Sequence, residues 1–344
     1  MQTTTAFDRF APSILEIYHR DPEAFWSAVM APFLAKDTSL LDWWQHLKVD
    51  VGLLAAFNGL DGDARQQLQD FSRPMGLDVT RWKSNRMSYF KDAYPVFAFL
   101  AVWMDEVGLH ELLAQFGDIL RAGVFAVAGY GILDENVDSS QPVPVEILTA
   151  QALICEYEQL ALRIFGVTPT NLAILHKMRG LFLNAEIKEK AARGKSSPYT
   201  LDKPEDLGAK GANSVAPFML SLEKLGNANQ IDDYWQVFLL FGAAIQMIDD
   251  WQDLEGDLEA GHYSYLTLGT NGLVHQKDAR QAARLLRADG ARVRATYRRA
   301  KEMIGEARAI LTRLDERHLG RLVDVTELRL DAFYRKEFKS IICN

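Results

Sequence analysis

The sequence predicts an all-α protein, a single large helical bundle, and three observations point there. Nearly every long segment repeats apolar residues at spacings of three and four, as in VPVEILTAQALICEYEQLALRIF, LHELLAQFGDILRAGVFAVAGYGIL and ATYRRAKEMIGEARAILTRL. Alternating strand patterns bounded by hairpin turns are scarce. With 344 residues, 48% of them hydrophobic, the chain can bury a large core. Helices averaging about three turns then give roughly ten or more of them.

Along the chain, the opening MQTTTAFDRFAPS lacks the basic and apolar stretches of a signal peptide. Secretion therefore has no support, and the extreme N-terminus is expected to lie outside the ordered fold. Gly, Pro and Ser interrupt the apolar pattern at residues 59–63, 139–144, 193–211 and 269–272. The apolar runs at 94–104 and 122–133 fall short of the ~18 to 20 residues that span a bilayer, so they read as core helices and no transmembrane segment is expected. The stretch ARGKSSPYTLDKPEDLGAKG is the most loop-like part of the interior and suits either a mobile lid or a plain surface connection. No linker, repeat or low-complexity block divides the chain, so one domain over residues 1–344 is expected. In the tail IICN, Cys343 stands second from the end, where prenylation requires a cysteine fourth from the end.

The net charge of −8 and pI near 5.5 count against nucleic acid as a partner, since phosphate-backbone affinity needs clustered Lys and Arg. An acidic protein handling an anionic substrate needs a cation between them. Cys155 and Cys343 lie far apart, without the spacing of a disulfide framework or a zinc site, and a reducing cytoplasm is the default.

Residues 246–257, QMIDDWQDLEGD, set five carboxylates directly behind the apolar run WQVFLLFGAAIQMI. On a helix, residues four apart are offset by about 40°, so Asp249, Asp253 and Asp257 share one face with Asp250 about 100° around. Like charges at this spacing destabilise a helix unless something compensates them. A solvated acidic face is one answer; a divalent cation between the carboxylates is the other, and oxygen donors suit Mg²⁺. A second acidic cluster closes another apolar helix in AVAGYGILDENVDSS, where Asp134 and Asp138 stand one turn apart. Either cluster alone is weak; two at the ends of apolar helices are more specific.

These segments resemble the class I, or trans-type, isoprenoid synthases, which include polyprenyl diphosphate synthases and terpene cyclases. The run Asp134-Glu135-Asn136-Val137-Asp138 is similar to their first aspartate-rich motif, and residues 246–257 to the second in its extended polyprenyl-synthase form. Gly261-His262 stands where those enzymes have Gly-Lys, and LGAKGANSV at 207–215 resembles the helix start that carries a diphosphate-binding lysine, with Lys-Gly in place of Lys-Thr. The resemblance covers about residues 90 to 310.

It implies an isoprenoid synthase-like bundle whose central cavity holds three Mg²⁺ ions, two held by Asp134 and Asp138 and the third by Asp249 with Asp250 and Asp253 nearby. The substrate implied is an allylic isoprenyl diphosphate (farnesyl, geranylgeranyl or longer) that ionises to an allylic carbocation as the metals draw charge from the leaving group. Lys210 would contact the diphosphate, while Gln246 and Asp257 would orient ligands or waters. Arg179 and Arg335 are further basic candidates, with a surface ion pair as Arg179's competing role; Tyr334 and Lys336 flank Arg335 in a tail that could fold over the diphosphate. Phe125 and Tyr130, one to two turns before the first motif, are placed to limit substrate length, though most aromatics are ordinary core. A homodimer is implied as well.

An elongating synthase binds a second diphosphate through basic residues soon after the first motif, whereas SSQPVPVE after Asp138 contains no Lys or Arg. This favours a terpene cyclase with one allylic substrate. A chain-elongating prenyltransferase and a non-catalytic synthase-like subunit remain the alternatives.

Overall fold

The computed structural model describes residues 5–23, 25–26, 51–75, 96–139, 141–200, 203–270 and 278–342. Among these, regular structure is all helical, with twelve α-helices, short 3₁₀ turns and no strand. The chain is therefore all-α, as its apolar periodicity predicts. It groups into two compact units, one within residues 1–175 and 216–228, the other within 176–215 and 229–344.

In the first unit, α1 (Ala6–Arg20) starts inside the segment expected to lack order. Thr5 and Asp8 cap it reciprocally, and Phe7, Phe10, Ala11, Ile14 and Tyr18 form its buried stripe. Helix α2 (Val51–Ser72) runs straight through the break expected at residues 59–63. Leu60, Ala64 and Leu68, four residues apart, are all buried, and burial of that stripe outweighs the ~1 kcal/mol that each interior glycine costs. The backbone amide of Ala6 donates to Asp63 at 2.6 Å, joining α1 to α2.

Helix α3 (residues 96–106) carries the expected buried run, and α4 (His110–Leu113) is a single turn. Helices α5 (Phe116–Asp138) and α6 (Pro144–Phe165) then pack closely. Glycine permits this: a Cβ on Gly129 would come to 2.8 Å from Ile154 Cγ1 of α6. Asp138 ends α5 and Pro144 opens α6 at its first helical position, so the break expected there is real. Helix α5 is longer than its apolar run at 122–133. Over Phe116–Val137 it is long and apolar enough to cross a membrane, yet most of that stretch is buried inside the protein, as a core helix would be. Helix α7 (Pro169–Ala192) contributes its first turns to this unit and the remainder to the second. Helix α8 (Ala216–Lys224) packs on α6.

The second unit is built around α9 (Ile231–Glu259), which packs against α10 (Ala279–Ala288), α11 (Gly290–Arg313) and α12 (His318–Ile342). On another side of α9 lies a run of 3₁₀ turns, Pro204–Val215, in the stretch that reads as the most loop-like. Its approach is unusually close. A Cβ on Gly208 would fall 2.0 Å from the Leu239 carbonyl oxygen, and a Cβ on Gly242 would fall 3.2 Å from Gly208 Cα. Two glycines thus let the 3₁₀ run lie on the backbone of α9, which fixes where Lys210 emerges.

Candidate functional site

Helix α9 turns its acidic end inward at one carboxylate. Ala243, Met247, Asp250, Trp251 and Leu254 are buried in succession, and Asp250 is only 5% exposed. Apolar neighbours on both sides thus put Asp250 at the centre of the buried face, where the helical projection had placed it at the flank. Asp253 is exposed, whereas Asp249 and Asp257 are half-buried. Asp249 turns toward α12, its carboxylate 3.5 Å from Arg329 Nη2.

Gln246, one turn before Asp250, donates its side-chain amide to Asp250 Oδ1 at 3.1 Å. Oδ2 is buried with no hydrogen-bond partner. Burial pushes the Asp250 carboxyl up to about 7; the Gln246 amide and the Ser264 hydroxyl pull against this, while the charges of Asp257 and Glu189 add to it. Negative charge is thus concentrated here without a matching cation among the groups acting most strongly on Asp250.

The next layer comes from α7 and the 3₁₀ run. Lys210 Nζ donates to Glu189 Oε2 at 2.8 Å and lies 3.8 Å from Glu186 Oε1, and Glu186 is 1% exposed. Tyr199 donates its hydroxyl to Glu189. Burial, with the Glu189, Asp250 and Glu186 charges around it, holds the Tyr199 phenol well above its ordinary value, so it stays a neutral donor. The segment bearing Tyr199 is fastened by the Gly194 amide, which donates to Gly261 O at 2.9 Å just past α9. Gly261 has φ +72°, a left-handed turn that glycine makes without strain. The loop-like stretch is thus clipped to the C-terminal end of α9.

Of the residues singled out in the sequence, Lys210, Gln246, Asp250 and Asp257 join one electrostatic cluster. Arg179 on α7 and Arg335 on α12 are exposed. Tyr334, considered with the basic tail, belongs to the core: its hydroxyl accepts from Trp251 Nε1 at 2.9 Å and donates to Thr296 at 3.1 Å. Trp251 is fully buried against Phe338. Glu186, Glu189, Tyr199, Ser264 and Arg329 were missed. The i, i+3 pair in NAEIKEK was the available signal for the glutamates, but such pairs are common on solvated helices.

In the first unit, Asp134 and Glu135 are half-buried, and Asp138 closes α5, its side chain outside the described residues. Asn136 is buried and acts structurally. Its amide donates to Ile132 O at 2.9 Å and Glu146 Oε2 at 3.0 Å, and its carbonyl accepts from Val143 N at 2.8 Å, tying the α5–α6 connection to both helices. Phe125 is buried against Phe71 at 5.1 Å between ring centroids, and Tyr130 is buried.

The donors around Asp250 are oxygens, and one buried oxygen lacks a partner, which fits a hard cation such as Mg²⁺. Among the described residues no three His, Cys, Asp or Glu side chains converge on a common ion position. Magnesium does not demand that, since it is commonly held by one or two carboxylates, its own waters and substrate phosphate oxygens. No protein-family model matches the chain, and no curated protein does.

Proposed function

We propose that this chain is a Mg²⁺-dependent enzyme of the class I isoprenoid synthase type that ionises an allylic isoprenyl diphosphate, with cyclisation and quenching of the carbocation as the outcome. One observation carries the reading: Asp250 is buried with an unpartnered oxygen and feels the charges of Asp257 and Glu189, and Glu189 in turn accepts from Lys210, the lysine that the motif comparison assigns to the diphosphate. Burying like charge costs desolvation energy, and a bound cation would repay it.

When bound, Mg²⁺ supplies Lewis-acid charge to the departing diphosphate. Asp250, the half-buried Asp249 and the exposed Asp253 are the ligands proposed on α9, with Asp134 and Asp138 proposed for further ions. Gln246 orients the Asp250 carboxylate through its amide hydrogen bond. Lys210 offers a positive donor to the diphosphate oxygens, where charge develops as the C–O bond breaks. Tyr199, held neutral by its burial, keeps its hydroxyl as a donor to Glu189.

A substrate panel tests this. Purified protein is incubated with Mg²⁺ and farnesyl, geranylgeranyl or longer diphosphates, and the products are identified by mass spectrometry. Hydrocarbons or alcohols are expected. Longer diphosphates formed only with added isopentenyl diphosphate would make the chain an elongase, and no turnover with any substrate would make it a non-catalytic subunit.

A further inference from the structure

This acidic chain carries one segment of the opposite sign. Residues 279–301, covering α10 and the first half of α11, hold eight Lys or Arg and a single acidic residue, Asp289, against a net charge of −8 for the whole protein. Some of these cations have local partners: Arg280 pairs with Glu255 at 2.9 Å, and Arg287 donates to the Trp251 carbonyl at 2.6 Å. Arg294 and Arg298, one turn apart on α11, are exposed and meet no carboxylate among the described residues. Helix α12 extends the charge. It runs antiparallel to α11, since Arg294 Nη1 donates to the Ile341 carbonyl at 3.2 Å, the Tyr297 hydroxyl donates to Asp331 at 2.8 Å, and Arg308 meets Asp324 at 2.8 Å. That register sets Arg335 level with Arg298. Arg335 and Lys339, near the end of α12, are exposed and likewise meet no carboxylate among the described residues. Val293, Thr296 and Ala300 of α11 and Leu330, Tyr334 and Phe338 of α12 are buried, so the four cations share the outer face of the helix pair. Ala291, Ala295 and Ala332 are exposed around them, and Ile341 and Ile342 lie half-buried at the same end.

We infer that this outer face of α11 and α12 docks the protein on an anionic phospholipid surface, with Arg294, Arg298, Arg335 and Lys339 among the headgroups and Ile341 and Ile342 turned toward the acyl boundary. Four cations without carboxylates repel one another, and an anionic surface relieves that repulsion. Charge complementarity therefore selects a negative partner, and two observations select a bilayer. The cations sit side by side on two adjacent helices, so a plane meets all of them at once. A nucleic-acid backbone is instead followed by a longer basic track that neutralises several phosphates in succession. The isoleucines beside the cations are the second observation, because the headgroup boundary of a bilayer takes in apolar side chains next to basic ones. Docking of this kind is reversible and salt-dependent, since the attraction fades within a screening length of the surface. The inference goes beyond the proposed reaction and does not depend on it, as it uses no carboxylate of either acidic motif.

The test begins with unaltered full-length protein and needs no substrate. In EDTA, which removes bridging divalent ions, the protein is floated with vesicles of phosphatidylcholine alone and with vesicles of equal parts phosphatidylcholine and phosphatidylserine. Partition into the anionic vesicles should be at least about tenfold higher, and the excess should vanish as the screening length shrinks from about 10 Å at 0.1 M salt to about 3 Å at 1 M. Equal partition into both kinds of vesicle overturns the inference. The second arm is the variant Arg298→Gln/Lys339→Gln, which removes two of the four charges at side chains that make no hydrogen bond or ion pair among the described residues, so the fold is left intact. Each charge near the surface is worth about fivefold in partition, so the variant should bind anionic vesicles about 25-fold more weakly. Arg163→Gln, at an exposed arginine of α6, is the control and should bind as the parent does. Undiminished binding by the double variant overturns the inference, as does an equal loss in the control. Binding to single-stranded RNA that the double variant loses, with no binding to either vesicle, overturns it too and makes the face a nucleic-acid site.

Discussion

Asp250 shows how one residue can be more informative than the motif containing it. Its carboxyl is pushed up to about 7 by burial and by the neighbouring Asp257 and Glu189 charges, so at pH 8 the metal-free protein carries a buried repulsion. Asp250→Asn removes that charge. The metal-free variant should melt at a higher temperature than the parent at pH 8, and Mg²⁺ should stabilise only the parent. A hundredfold excess of Mg²⁺ over its Kd gives the parent about 2.7 kcal/mol, read as a rise in Tm by calorimetry. Equal stabilisation of both proteins would place the ion elsewhere. Asn136 makes the opposite case, a residue inside the first motif with a structural task. Asn136→Ala removes the acceptor of the Val143 amide and one donor to Glu146 and should cost about 1–3 kcal/mol in denaturant unfolding. The sequence exposed the number and spacing of the carboxylates but not which one faces inward, because that depends on what Met247, Trp251 and Leu254 pack against.

At the level of elements, the crossing of the 3₁₀ run over α9 sets the position of Lys210, and it depends on a missing Cβ. Gly208→Ala places a methyl 2.0 Å from the Leu239 carbonyl oxygen, which only backbone movement relieves. A loss of about 1–3 kcal/mol is expected, with Lys210 displaced from Glu189. Gly211→Ala, three residues along with nothing within 4 Å, is the control and should be close to neutral. Helices α11 and α12 are joined by a network in which Glu327 accepts from Lys301 and from Arg308 at 2.5 Å. The Lys301 hydrogen bond, followed by that of Arg308, holds the Glu327 carboxyl below its ordinary value. The depressed value means that this stabilisation is complete above the unfolded carboxylate value and is lost as pH falls through the folded one. Glu327 is partly exposed, so Glu327→Gln should cost only about 0.5–1 kcal/mol at pH 7. The Tm difference from the parent should narrow as the pH falls below the ordinary carboxylate range.

Helix boundaries were legible where chemistry marks them. The break expected at residues 139–144 separates α5 from α6, which Pro144 opens, whereas the glycines at residues 59–63 gave a false break because a continuous Leu60, Ala64, Leu68 stripe carries α2 through them. The 3₁₀ run at Pro204–Val215 was invisible, since its support is the backbone of α9 and not its own periodicity.

For the whole molecule, the sequence predicts the all-α class because helical periodicity is a local property, present in each segment by itself. The candidate site is another matter. Lys210 and Asp250 were readable as isolated motif residues, while Glu186, Glu189 and Tyr199 join them only through tertiary packing among α7, the 3₁₀ run and α9. We propose that this packing gathers negative charge in order to receive a cation and, with it, a diphosphate. Release of inorganic pyrophosphate from farnesyl and geranylgeranyl diphosphate, measured with Mg²⁺ and with EDTA, tests it most directly. Release should require Mg²⁺, persist without isopentenyl diphosphate and vanish in Asp249→Ala protein of undiminished helical circular dichroism; release in EDTA, or full activity in that variant, would rule the proposal out.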